Sequence, residues 1–76
     1  MIKTHNIEEV SLNKNFMYLK VNGKTLKFSI EKISLKLFNA NEVQKGLYII
    51  SPSGYGIHWP LIDEDLSIDY LMKLEE

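Results

Sequence analysis

Asn22-Gly23 sits between two runs of alternating apolar and polar residues, Phe16 to Val21 and Lys24 to Phe28. A type I′ turn needs φ > 0 at both central residues, and Asn followed by Gly is the pair that accepts this most readily. A two-residue loop also sets the pairing. It puts Val21 opposite Lys24, Leu19 opposite Leu26 and Met17 opposite Phe28. The alternation agrees, with Met17, Leu19, Leu26 and Phe28 on one side of the sheet and Tyr18, Lys20, Thr25 and Lys27 on the other. A slip of one residue would exchange the two faces, so turn and pattern together specify one register.

On either side of this hairpin the pattern continues. Ile7 to Leu12 is expected as a first strand with Val10 and Leu12 on one face, and Asn13-Lys14-Asn15 as a turn, since Asn tolerates the left-handed region. From Ser29 or Ile30 the spacing becomes helical: Ile30, Ile33, Leu37 and Phe38 fall at i, i+3, i+7 and i+8. Leu35 breaks that stripe and is assigned to an edge. Asn39-Ala40-Asn41 interrupts the helix. Asn41 and Gln44 have the spacing of a capping box, which Gly46 can close.

The stretch from Ser51 to Ser67 holds both prolines, the one tryptophan and the densest acidic cluster. Pro52-Ser53-Gly54 has turn chemistry. Leu47-Tyr48-Ile49-Ile50 and Gly56-Ile57-His58-Trp59, short and rich in β-branched and aromatic residues, read as the two strands of a second hairpin. Pro60 lacks the N–H a ladder needs and ends the second strand. Asp63-Glu64-Asp65 reads as a solvated turn. Ser67 caps a last helix, in which Ile68, Leu71 and Met72 form one apolar stripe. The expected architecture is a single α+β domain over residues 1–76, ordered β-β-β-α-β-β-α, with one small antiparallel sheet covered by helices on one face. Trp59, Leu19, Phe28 and Leu71 are expected in its core.

Gly56-Ile57-His58-Trp59-Pro60, followed by Ile62-Asp63-Glu64-Asp65-Leu66-Ser67, resembles the closing motif of the bacterial domain of unknown function 2442 family. Asn39-Ala40, and Ile50-Ser51-Pro52 ahead of the motif, are similar to that family as well, so the likeness runs through nearly the whole chain. The resemblance implies a small α+β domain with no established activity and no assigned functional residues. It also implies two settings: some members carry an added helix-turn-helix domain, and others stand beside a second small protein in what looks like a toxin–antitoxin pair. This chain ends soon after the motif, and a fused DNA-binding domain is not expected.

Composition narrows the function further. A chain of 76 residues buries only about 60% of its unfolded surface and has little stability to spare. It has no cysteine, which removes disulfides and thiolate metal sites. The first residues lack the apolar run of a secretory signal, and no stretch approaches the ~20 apolar residues of a membrane helix, so a cytoplasmic location is expected. Net charge is −1 but uneven. Residues 1–46 carry eight lysines against Glu8, Glu9, Glu31 and Glu42, a balance of +4, whereas residues 47–76 carry Lys73 against six acids, a balance of −5. There is no arginine, the residue on which bidentate reading of guanine and phosphate leans, so direct nucleic-acid binding is not expected.

His58 is the foremost catalytic candidate, with Asp63 or Asp65 as its partner across the turn. A strand, however, places His58 and Trp59 on opposite faces, so the bland alternative puts Trp59 in the core and His58 on the rim, fixing a loop. No serine or threonine stands in a nucleophile-elbow context. A metal site from His5, His58 and Asp63-Glu64-Asp65 lacks ligand spacing, and the acidic run lacks the pattern of a calcium loop. Tyr48, Tyr55, Trp59 and Tyr70 offer a stacking surface, but acidic surroundings oppose phosphate binding. No cofactor, metal or catalytic role is therefore expected. His58, Trp59, Asp63, Glu64 and Asp65 are the candidates for interaction or loop fixing. The favoured function is a non-enzymatic protein-interaction module with a protein partner or a second copy of itself, one member of a toxin–antitoxin-like two-gene pair. The alternative is a small-ligand-binding or DNA-linked regulator component. An enzyme using His58 with Asp63 or Asp65 comes third.

Overall fold

The computed structural model describes residues 6–52 and 54–75. His5 and Ser53 lie outside the described residues. Three strands open the chain, β1 (Ile7–Leu12), β2 (Phe16–Val21) and β3 (Lys24–Ser29), paired antiparallel in the order β1-β2-β3. Asn22 and Gly23 both take positive φ, 53° and 82°, and the register pairs Leu19 with Leu26, Met17 with Phe28 and Val21 with Lys24, as the turn demands. Met17, Leu19, Val21, Leu26 and Phe28 are buried. On the outer face Lys27 lies over the Phe16 ring, 4.2 Å from its centroid.

The register of β1 on β2 shifts between Ile7 and Glu9. The extra residue, Glu8, turns its carboxylate to the hairpin loop, where it accepts from the Gly23 N–H at 2.7 Å and lies 3.7 Å from the Lys20 ammonium. Bulges commonly re-aim a side chain in this way. Asn13 closes the β1–β2 turn, its Oδ1 accepting from the Asn15 and Phe16 N–H groups.

The single helix expected from residue 30 is instead two one-turn helices, α1 (Ile30–Ile33) and α2 (Leu35–Phe38). Ser34 between them is extended, at φ −164° and ψ 112°, and its hydroxyl accepts from the Leu37 N–H at 3.0 Å. A serine hydroxyl competes with the backbone ladder, and here it restarts the helix instead of continuing it. The restart explains Leu35, which broke the stripe and is exposed, while Ile30 and Leu37 are buried. A third helix, α3 (Glu42–Gly46), begins at the Asn41–Gln44 capping box, in which both reciprocal bonds form.

The second half makes its own antiparallel sheet, β4 (Ile49–Ile50), β5 (Gly56–Trp59) and β6 (Glu64–Ser67), in the order β4-β5-β6. The α+β class holds, but there are two three-stranded sheets in place of one, and the order is β-β-β-α-α-α-β-β-β-α. The added strand β6 corrects the reading of Asp63-Glu64-Asp65 as a solvated turn. Only Asp63 is in the turn, at φ 51°. Glu64 and Asp65 are strand residues paired with Trp59 and His58. Asp is poor in strands by propensity, and cross-strand pairing overrides that preference here.

The last helix, α4 (Ile68–Glu75), starts where the Ser67 hydroxyl accepts from the Tyr70 N–H at 3.2 Å. Ile68 and Leu71 are fully buried. Trp59, Ile57 and Leu66 from the second sheet join Met17, Leu19 and Phe28 from the first in one hydrophobic cluster. No described helix is long and apolar enough to cross a membrane.

Candidate functional site

The alternation of β5 sends Trp59 inward and His58 outward. Trp59 is completely buried. Its indole N–H donates to the Lys45 carbonyl at 3.1 Å, and its ring meets Tyr48 at 6.4 Å and a tilt of 57°. A buried tryptophan needs such a partner for its one donor. Trp59 is thereby a packing residue that also ties α3 to β5.

His58 and Asp65 face one another across the β5–β6 ladder, with His58 Nδ1 2.8 Å from Asp65 Oδ1. An ionised carboxylate only accepts, so in this contact Nδ1 carries a proton and donates it to Asp65. This is the geometry of an oriented imidazole. It sits on a shallow depression of about 380 Å³ shared with Ile49, Ser51, Tyr55 and Ser67. Both serine hydroxyls serve local structure: Ser51 Oγ accepts from the Tyr55 and Gly56 N–H groups, and Ser67 Oγ caps α4.

The other two acids go elsewhere. Asp63 meets Lys36, whose ammonium donates to the Asp63 carbonyl at 3.1 Å. Glu64 lies on the inner side of β6, where the Ser34 hydroxyl donates to its carboxylate and the Asp65 N–H reaches its other oxygen at 3.0 Å. The predicted residues are neighbours in the chain but form four separate constructions, Trp59 with Lys45, His58 with Asp65, Asp63 with Lys36 and Glu64 with Ser34. Among the described residues no three His, Asp or Glu side chains converge as a metal site would require.

Next to His58 lies the edge of the second sheet. β4 is two residues long, bonds to β5 through the pairs Ile49–His58 and Ile50–Ile57, and has no strand on its far side among the described residues. Ile49 is 57% exposed, and Leu47, Ile50 and Tyr55 beside it are exposed too. Scattered apolar residues on a surface are ordinary, whereas a group of them along an open strand edge marks a place where another chain can pair. The sequence signal for it was the apolar run Leu47-Tyr48-Ile49-Ile50, of which the structure buries only Tyr48 in part.

Neither the curated proteins nor the solved structures contain a match to this sequence. The family model described as "Protein of unknown function (DUF2442)" matches residues 7–76, which takes in every strand and helix described above, and the chain belongs to that family.

Proposed function

We propose that the protein is a non-enzymatic protein-interaction module that binds its partner along the free edge of β4. The observation that carries this reading is the coincidence of a ladder edge with no neighbour among the described residues and four exposed apolar side chains, Leu47, Ile49, Ile50 and Tyr55. Neither residue of β4 is charged or proline, so the edge lacks two of the usual protections against pairing. A partner strand laid beside β4 would gain main-chain hydrogen bonds, with alternate side chains meeting Ile49 and Ile50. Asp65 and Asp69 belong to the acidic half of the chain, which favours a partner whose strand carries basic residues nearby.

The same reading places the protein in the bacterial cytoplasm as one member of a toxin–antitoxin-like pair, with the neighbouring gene's product as partner. The test is co-expression of the two proteins, followed by co-purification of the parent and of Ile49→Lys. Capture by the parent and its loss in a folded Ile49→Lys variant are expected. Equal capture by both would place the contact elsewhere. Light scattering on the protein alone separates a second copy from a different partner.

A further inference from the structure

We infer that the groove between β1 and α3 binds a small apolar monocarboxylate, whose carboxylate is held by the Lys45 ammonium. The groove encloses about 790 Å³ and has Val10, Leu12, Ala40 and Tyr48 among its walls. That is the size and apolar character of a small-molecule site.

Lys45 supplies the polar anchor. It is only 9% exposed, the one buried lysine among the described residues. Its Nζ reaches the carbonyls of Asn13 at 3.5 Å and Lys14 at 3.3 Å, and no carboxylate pairs with it among the described residues. Charge-assisted hydrogen bonds normally close to about 2.7–2.9 Å, so both contacts are long. Withdrawing an ammonium from water is costly unless a counter-charge or close hydrogen bonds replace the hydration. Two neutral carbonyls give its ammonium no counter-charge, and a carboxylate entering the groove would supply one. The rim carries Lys14 and Glu42, whose charges offset one another and leave Lys45 to set the sign.

The ligand's chemistry follows from the walls. With the charges of Lys14 and Glu42 offsetting one another, a singly charged carboxylate matches the one ammonium left over, whereas a phosphate dianion would bring a second negative charge with no cation to meet it. An aliphatic or aromatic body fits Val10, Leu12 and the Tyr48 ring. This surface is distinct from the β4 edge, so the two readings can fail independently.

Octanoate is a suitable probe, with octanol as its uncharged counterpart, followed by amide NMR titration of the parent protein. Saturable shifts at Val10, Leu12, Ala40, Lys45 and Tyr48 are expected with octanoate, with octanol binding roughly tenfold or more weakly, the worth of one hydrogen bond to a charged group. Lys45→Met should lose that preference. Because this variant also loses the carbonyl contacts, Ala40→Phe provides a second check: it fills the groove, leaves the charge in place and should block octanoate. Equal binding of octanoate and octanol, shifts confined to the β4 edge, or no saturation would overturn the assignment. Tighter binding of a short leucine-terminated peptide than of octanoate would overturn the free acid as occupant.

Discussion

The indole N–H of Trp59 is bonded to the main-chain carbonyl of Lys45, 14 residues earlier in the chain. One side chain thus fills the core with its ring and fixes helix α3 with its nitrogen. The same lysine whose carbonyl receives the indole turns its ammonium to the carbonyls of the β1–β2 turn. Lys45 therefore joins the two sheets through both its main chain and its side chain.

Trp59→Ala should cost about 3–5 kcal/mol, the range for removing a large buried aromatic. In a domain of this size that approaches the whole stability. Trp59→Phe keeps most of the ring but leaves the Lys45 carbonyl without its donor, so a smaller loss of about 1–3 kcal/mol is expected. Urea unfolding monitored by circular dichroism measures both. A Trp59→Ala protein as stable as the parent would contradict the packing role.

Two glycines should resist substitution for different reasons. Gly23 has φ 82° and open space around the position of a Cβ, so Gly23→Val should cost about 1–3 kcal/mol in backbone strain alone, and Gly23→Asn much less. At Gly56 a Cβ would stand 2.9 Å from the Leu66 carbonyl oxygen. Gly56→Ala should therefore destabilise by forcing β5 and β6 apart, by about 1–3 kcal/mol. Thermal unfolding of the three variants gives the comparison. An unaffected Gly56→Ala would show that the ladder yields at that point.

The Ser34 hydroxyl serves two groups, the Leu37 N–H and the Glu64 carboxylate, which is 30 residues away. Ser34→Ala should lose the cap, about 0.5–2 kcal/mol, and also the link between α2 and β6. Glu64→Gln should restore part of the loss, because a neutral amide suffers less than a carboxylate deprived of its donor. A double-mutant cycle showing no coupling between the two positions would refute the link.

The His58–Asp65 pair should contribute little to stability. The side chains are 37% and 75% exposed, and surface pairs of this kind are worth about 0.2–1 kcal/mol. Asp65→Asn and His58→Ala should each leave the fold intact. A screen of generic ester and phosphoester substrates should show no turnover with the parent. Turnover abolished in a folded His58→Ala protein would reverse the non-enzymatic reading.

Asn22-Gly23 made the first sheet legible, because turn geometry and alternation demanded one register and the structure has it. The His58–Trp59 alternation was equally readable, as was the choice of Asp65 as one of two partners for His58. Strand β6 was not. Its acids oppose strand formation locally, and what holds them is tertiary: Glu64 meets Ser34, Asp65 meets His58, and Leu66 enters the core. The break at Ser34 was hidden for a related reason, since its serine fits a helix by spacing, while its hydroxyl bonds both the nearby Leu37 N–H and the distant Glu64 carboxylate. The burial of Lys45 depends on the distant β1–β2 turn, and no local pattern of residues encodes that.

Each sheet is a meander of consecutive strands, β1-β2-β3 and β4-β5-β6. Every ladder among the described residues therefore closes over a short loop, and none of the described strands waits for a remote segment to supply its neighbour. Ladders of this kind lose little chain entropy before they gain contacts, the condition for rapid folding. During synthesis the first meander is complete in sequence once Ser29 has been added, 30 residues before Trp59. Of the residues that share a cluster with Met17, Leu19 and Phe28, Ile30 and Leu37 follow directly, but Ile57, Trp59 and Leu66 come only with the second meander, and the nascent chain is most exposed to the wrong partner in that interval.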